Sequence, residues 1–357
     1  MIEEGLWRGR RVFLTGHTGF KGAWLSAMLL GLGAEVTGYA LDPPTEPALF
    51  ELAGLGARMT DRRGDLRDGE ALARAVERAA PEIILHMGAQ SLVKAGYADP
   101  LATYATNVMG TLHLLEAARA CADLRAIIVV TTDKCYENTG DAAAFREGDP
   151  LGGFDPYASS KACAELVAAC WRDSFLARAN IAVATARAGN VIGGGDYAAD
   201  RILPDAMRAF ARGEPLQVRA PQAVRPWQHV LDPLGGYLLL AERAFHDPAG
   251  FSGAWNFGPG RAHEQSVERL LQHVTRAYGG QAQWQHDGRA HPHEAAVLRL
   301  DASKARRLLG WSCRLDFEES IAWSVDFYRQ VGEGADASVL MQAQIAAFLA
   351  ASRAETV

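Results

Sequence analysis

The order of hydrophobic periods along the chain constrains its fold more than any other feature. RVFLTG (11–16) is a short apolar run, and KGAWLSAMLLGLG (21–33) carries apolar residues at helical spacing and stops at Gly31 and Gly33. EVTGYALD (35–42) is strand-like again and is cut off by Pro43 and Pro44. The alternation continues through helical DGEALARAVERAAP (68–81), strand EIILHMGA (82–89), helical NVMGTLHLLEAARAC (107–121) and strand AIIVVTT (126–132). A long helical stretch, DPYASSKACAELVAACWRDSF (155–175), and the strand IAVATARAGNV (181–191) complete it. Strands joined by single helices demand right-handed crossovers, which predicts an α/β chain with a doubly wound parallel sheet.

From Gly193 the pattern loosens. GGGDYAADRILPD (193–205) and GEPLQVRAPQAVRPW (213–227) are rich in Gly, Pro and charge, as loops over a cleft are. A further strand, AWNFGPG (254–260), precedes a helical EQSVERLLQHVTRAYGG (264–280), and the alanine-rich tail reads as a surface helix. The expected division is a dinucleotide-binding, Rossmann-like domain over 1–190, with returns near 225–257, and a smaller α+β substrate-binding domain over most of 191–357.

Glycine placement turns the first strand–helix junction into a binding site. Gly16, Gly19 and Gly22 let the chain turn sharply there and bring backbone N–H groups against a pyrophosphate, and the helix N-terminus adds partial positive charge. A glycine triplet alone is weak evidence; at a first strand–helix junction of an alternating chain it reads as dinucleotide binding. The second strand ends at Asp42 with no arginine in its turn, which points to NAD over NADP. Asp65 and Leu66 fall where a third strand would end, near an adenine ring, although Asp65 would serve equally as the N-cap of the helix over 68–81.

Tyr157 and Lys161 stand four apart at the start of the long helix and therefore share a face. A fixed cation beside a phenol stabilises phenolate and lowers its pKa from about 10 toward neutrality. Such a tyrosine takes a hydroxyl proton while hydride leaves for a nicotinamide. Asp133 and Lys134 raise a separate question, because they stand together where the strand AIIVVTT leaves the core.

Composition excludes other classes of function. At 357 residues with 49% hydrophobic and 22% charged content, the chain is long enough for a large core. A net charge of -6 with no dense Lys/Arg run argues against nucleic acid or an anionic membrane as partner. The five scattered cysteines lack CxxC spacing, and neither a signal-like apolar region nor a stretch near the roughly 20 residues of a membrane span is present, so a cytoplasmic location is expected. His286, His291 and His293 cluster without metal-ligand spacing, and no metal is expected.

Read in order, GHTGFKG, GDLRD, HMGAQ, TNVMGT, the TT strand end, YASSK and RAGNV resemble the extended short-chain dehydrogenase/reductase superfamily over nearly the whole chain. Within it, TTDKCYEN is similar to the sugar-nucleotide 4,6-dehydratases, where an acid and a second proton-transfer group follow the Ser/Thr; epimerases have small or apolar residues there. Asp-Lys, together with GHTGFKGAWLS, RAGNVIGGGD and RPWQHVLDPLGGYL, resembles most the branch acting on CDP-glucose, from about residue 6 to 328.

The resemblance implies conversion of CDP-D-glucose to CDP-4-dehydro-6-deoxy-D-glucose with NAD regenerated in each cycle, a step toward the deoxysugars of polysaccharides. It implies Thr132, Asp133, Lys134, Tyr157 and Lys161 as catalytic residues. NAD would lie against Gly16, Thr18, Gly19, Phe20, Lys21, Gly22, Asp42, Asp65, Leu66, Gly88, Ala89, Gln90, Asn107, Thr131, Tyr157 and Lys161. Asn190, Arg201, Arg225, Asn256 and His293 fall where the sugar nucleotide is held, and arginine forks suit a diphosphate. Each arginine would equally suit a surface ion pair. A homodimer or dimer of dimers through helices near 98–121 and 155–175 is also implied. Two rivals remain: an epimerase or a dehydratase for another nucleotide sugar, and a non-catalytic NAD-binding chain. Asp133 and Lys134 argue against an epimerase, and Tyr157 and Lys161 against the non-catalytic chain.

Overall fold

Six strands over the first half build the sheet that the sequence predicts. They are β1 (Arg11–Thr15), β2 (Glu35–Ala40), β3 (Thr60–Arg63), β4 (Ile83–His86), β5 (Ala126–Val130) and β6 (Ala182–Ala188). A strand over Gly253–Phe257 pairs with the outer edge of β6, and all six pairings are parallel. The computed structural model describes residues 2–354 apart from 139, 141–143, 281 and 289–297.

The resulting order is (Gly253–Phe257)-β6-β5-β4-β1-β2-β3, so chain direction across the sheet reverses between β1 and β4. Crevices at the carboxyl ends of strands flanking such a switch point are where α/β sheets bind ligands. Every residue of β4, β5 and β6 is buried, as expected of central strands covered by helices on both faces. The core contains Trp7, Trp24, Trp255, Phe257 and Phe327, and each large apolar side chain removed from water contributes about 1.5–3 kcal/mol.

β1 and β4 are locked at their ends by a buried polar chain. Thr15 Oγ1 accepts the Met87 and Gly88 N–H groups and lies 2.7 Å from His86 Nδ1. His86 Nε2 lies 3.0 Å from Thr111 Oγ1, which donates to the Asn107 carbonyl. Burial, reinforced by the Lys161 charge, holds the His86 imidazole neutral with a pKa near 3.

Two elements differ from the sequence reading. The helix expected from 107 begins earlier, as Val93–Ala98, Pro100–Tyr104, a π-turn over Ala105–Met109 and Gly110–Ala118. Pro100 takes the first helical position and Asp99 accepts the Ala102 N–H, so a helix starts there. The tail, expected as a surface helix, is the helix Ala337–Ala354, and one face of it is core: Ala337, Met341, Ile345 and Phe348 are buried with Trp24 and Leu25.

Candidate active site

Between the strand ends and the segment 190–227 runs a cleft of about 1970 Å³. Gly16, Thr18, Gly19, Phe20, Lys21, Gly22, Asp42, Asp65, Leu66, Gly88, Ala89, Gln90 and Thr131 line it, as do Thr132, Asp133, Lys134, Tyr157, Lys161, Asn190, Arg201 and Arg225. Most of the residues singled out in sequence are thus in one cavity.

The glycine loop is a cradle that side chains would fill. A Cβ on Gly22 would stand 2.1 Å from the Gly16 carbonyl oxygen, and one on Gly16, whose φ is +75°, would stand 2.7 Å from the Gly88 nitrogen. The loop therefore presses backbone on backbone and leads into the twelve-residue helix Phe20–Gly31, which Gly19 caps without a side chain. That geometry fits a dinucleotide pyrophosphate. Beside it Asp42 is highly exposed and lies 3.6 Å from Arg63. Arg63, at the end of β3, escaped the sequence reading, which looked for an arginine in the turn after β2. Asp61 at 2.8 Å and Glu51 at 3.6 Å also face it, so its charge is offset by three carboxylates. Asp65 pairs with Arg67, whose hydrogen bond holds the carboxyl below its usual range, and the helix N-cap is Asp68 instead.

Lys21 is half-buried within the cradle. Its Nζ donates to Tyr237 Oη at 3.1 Å, and burial, then the Arg201 and Lys161 charges, push its pKa down to about 7. Tyr237 belongs to the helix Leu231–His246, and no local pattern marks it as a site residue.

Tyr157 and Lys161 lie one turn apart on the helix Pro156–Trp171, which Asp155 caps by accepting the Ala158 N–H. Lys161 Nζ donates to the Val130 carbonyl at 2.8 Å, and burial lowers its pKa to about 8 against the opposing Glu165 charge. The expected lowering of the tyrosine is not met by the chain alone. Burial pushes Tyr157 up to about 12; a hydrogen bond with Thr132 opposes this, and the Asp133 charge adds to it.

At the end of β5 the Thr132 hydroxyl donates to Asp133 Oδ1 at 3.1 Å. Asp133 is buried, and its Oδ2 has no hydrogen-bond partner among the described residues. Gly189 makes room for that oxygen, since a Cβ there would stand 2.8 Å from it. Lys134 Nζ lies 3.8 Å from Asp133 Oδ1 with about a third of the side chain exposed. The two charges at the end of the strand therefore face the same cleft as Tyr157.

On the far side Arg201 pairs with Asp196 at 2.8 Å and donates to Ser91 Oγ at 3.1 Å, and Lys94 pairs with Asp200. Arg225 is buried and donates to the Val224 carbonyl. Two expected contacts are not brought to the cleft. Asn256 is fully buried: its Oδ1 accepts the Tyr136 hydroxyl and its Nδ2 donates to the Phe145 and Asp301 carbonyls. Its place on the edge strand, directed into the core, was not visible in sequence. Asn107 is buried behind the cleft, accepting the Gln90 N–H and donating to the Gln90 carbonyl and Ser160 Oγ, so it positions Gln90. His291 and His293 lie outside the described residues, and His286 is exposed, 3.2 Å from the Arg219 carbonyl.

Residues 13–323 match the family described as GDP-mannose 4,6 dehydratase. The chain belongs to that family. It is 45% identical over 99% of its length to the CDP-glucose 4,6-dehydratase of Salmonella typhimurium, of which 99% is covered. A dTDP-glucose 4,6-dehydratase of Xanthomonas campestris is 29% identical over 74% of the chain and 78% of the relative. Among solved structures, the dTDP-glucose 4,6-dehydratase of Streptomyces venezuelae, with NAD bound, matches with a TM-score of 0.76 and 26% identity over 90% of this chain and 97% of that one. The Thermus thermophilus UDP-glucose 4-epimerase complex with NAD gives 0.76 and 25% over 89% and 99%. A dehydratase and an epimerase, both with NAD bound, thus share the fold of this chain.

Proposed function

We propose that the protein is an NAD-dependent CDP-glucose 4,6-dehydratase, a hydro-lyase converting CDP-D-glucose to CDP-4-dehydro-6-deoxy-D-glucose and water. The observation that carries this reading is the pair Asp133 and Lys134 beside Tyr157 in one cleft, with Asp133 Oδ2 uncommitted by any described hydrogen bond. The full-length likeness to a CDP-glucose enzyme supports the choice of nucleotide. Residues 1–190 would hold the cofactor and most of 191–357 the sugar nucleotide.

Gly16, Gly19 and Gly22 would hold the pyrophosphate of NAD, which would accept hydride from C4 and later return it to C6. Tyr157, aided by Lys161 and Thr132, removes the C4 hydroxyl proton. The ketone at C4 acidifies the C5 proton, which Lys134 removes while Asp133 protonates the departing C6 hydroxyl. A proton then returns to C5, so that one water leaves and the overall conversion is without net oxidation. The acid and base roles of Asp133 and Lys134 are exchangeable on this geometry, since 3.8 Å separates their charged atoms. Arg201 and Arg225 would bind the diphosphate, with Arg201 exchanging Asp196 for it.

We also propose a homodimer. Leu101 (83% exposed), Leu166 (60%) and Phe154 (86%) present unusual apolar area on or beside the helices at 93–118 and 156–171. A cytoplasmic setting is supported by five free cysteines, and no helix among the described residues is long and apolar enough to cross a membrane. Incubating the protein with NAD and CDP-glucose should give a 4-keto-6-deoxy product without net NADH. Inversion at C4 with C6 untouched would instead show an epimerase, and no turnover of any nucleotide sugar would remove the catalytic reading.

A further inference from the structure

Glu165 lies one helical turn beyond Lys161 and two beyond Tyr157, on the same face of the helix Pro156–Trp171. It is buried, and its carboxylate is fully engaged. Oε1 accepts the Thr131 hydroxyl and Arg187 Nε at 2.9 Å; Oε2 accepts the Thr185 hydroxyl at 2.6 Å and Arg187 Nη2 at 2.8 Å. Both charges of the pair are 3% exposed, and the arginine forks onto the carboxylate in the bidentate geometry. Arg187 then reaches on: Nη1 donates to Tyr136 Oη at 2.7 Å and to the Glu147 carbonyl at 3.1 Å, and the guanidinium lies 4.8 Å from the centre of the Tyr136 ring.

Thr131 and Tyr136 bracket the segment that holds Thr132, Asp133 and Lys134. Within it Lys134 N donates to Thr132 Oγ1 at 3.3 Å and Cys135 N to the Thr132 carbonyl at 3.4 Å, while Thr131 N donates to the Ala186 carbonyl at 2.9 Å and the Cys135 carbonyl accepts the Gly152 N–H at 2.8 Å. None of these backbone bonds reaches the helix that carries Tyr157. The buried pair does, because it is bonded to both ends of the segment and rides on the helix that carries Tyr157 and Lys161.

We propose that Glu165 and Arg187 are positioning residues that clamp the segment 131–136 and thereby hold the elimination groups in register with the oxidation groups. This rests on the dehydratase reading. The clamp acts through Thr131 and Tyr136 and touches no reacting atom, so loosening it affects elimination at C5 and C6 more than oxidation at C4. Misplacement by about an ångström costs on the order of a hundredfold in such steps.

Breaking a buried ion pair from one side is strongly destabilising, so Glu165→Gln risks losing the fold. The test therefore uses Tyr136→Phe, which removes the hydroxyl that Arg187 holds and keeps the ring. Thr185→Val is the control: it removes a bond to the same carboxylate, on β6, without touching 131–136. Two readouts are taken on the NAD-loaded enzyme. One is amide hydrogen exchange in the peptide spanning 131–137. The other is the ratio of C5 deuterium incorporation and product formation to NADH formed when CDP-glucose is added in heavy water.

In Y136F, exchange in 131–137 is expected to quicken and the ratio to fall about ten- to hundredfold, with NADH and the 4-keto sugar accumulating. T185V is expected to lower thermal stability and leave both readouts at wild-type values. If Y136F keeps the wild-type exchange and ratio, or T185V shifts them equally, the clamp is wrong and the network serves stability alone. A wild-type enzyme that ignores CDP-glucose overturns the substrate reading instead, and the exchange measurement still decides the clamp.

Discussion

On the β1 side of the cleft the binding surface is backbone. Gly16, Gly19 and Gly22 line the cleft with main-chain atoms, and the space they leave is too tight for any Cβ at positions 16 and 22. On the side formed by 190–227 the surface offers long cationic side chains, Arg201 and Arg225, with Arg201 committed to Asp196, while Asp200 there pairs with Lys94 of the helix Val93–Ala98. The first surface is preformed and intolerant of substitution. The second must exchange partners to bind and is graded in its response, because each arginine contributes separately. The residues proposed as catalytic stand between them, on one helix start and one strand end.

Substitutions should separate these regions by size of effect. Tyr157→Phe removes the phenol that takes the C4 proton and should lower turnover by about 10²–10⁴ while NAD still binds, read by steady-state rates and cofactor titration. Retained turnover would move the oxidation chemistry elsewhere. Gly22→Ala drives a methyl into the Gly16 carbonyl, and overpacking of this kind costs about 1–3 kcal/mol, so NAD affinity should fall by about 5- to 150-fold at nearly unchanged affinity for CDP. Equal loss of both ligands would erase the contrast between the two walls. Arg201→Ala should raise KM for CDP-glucose by about tenfold or more, the worth of a charge-assisted hydrogen bond, with kcat changed far less. A loss confined to kcat would place Arg201 at the reacting carbons.

The smallest effect is one of pH. Lys161 has a pKa lowered to about 8 by burial, so it is cationic below that value and loses its charge as pH rises through it. C4 oxidation should therefore decline on the alkaline side of about pH 8. Lys161→Arg keeps the charge and should abolish that decline, at a lower maximal rate. An alkaline limb unchanged in K161R would assign it to another group, and Lys21, lowered to about 7, is the next to test.

The same contrast explains what was legible in the sequence. The glycine loop and the Tyr157–Lys161 spacing are local, and local geometry is what period and spacing encode; the parallel sheet followed from the alternation of periods. Asp133 and Lys134 were legible as an anomaly at a strand end, and their facing the cleft needed three dimensions. Asn256 was misplaced because an edge strand added from residue 253 turns it into the core, where three described groups take its amide. Arg63 was missed because it arrives from β3, a strand away from the turn that was searched. The Glu165–Arg187 pair spans a helix and a strand 22 residues apart, yet Glu165 repeats the spacing of Tyr157 and Lys161, and that periodicity was the available signal. Lys21 and Tyr237, 216 residues apart, left none.

The central claim is that oxidation at C4 and elimination across C5 and C6 are run by separate side chains in one cavity. The most direct measurement is single-turnover reaction of Lys134→Ala with CDP-glucose in heavy water, following NADH and deuterium at C5 together. NADH should form at about the wild-type rate and then persist, with C5 deuterium incorporation lost. Deuterium incorporation at the wild-type rate, or loss of NADH formation along with it, would contradict the account.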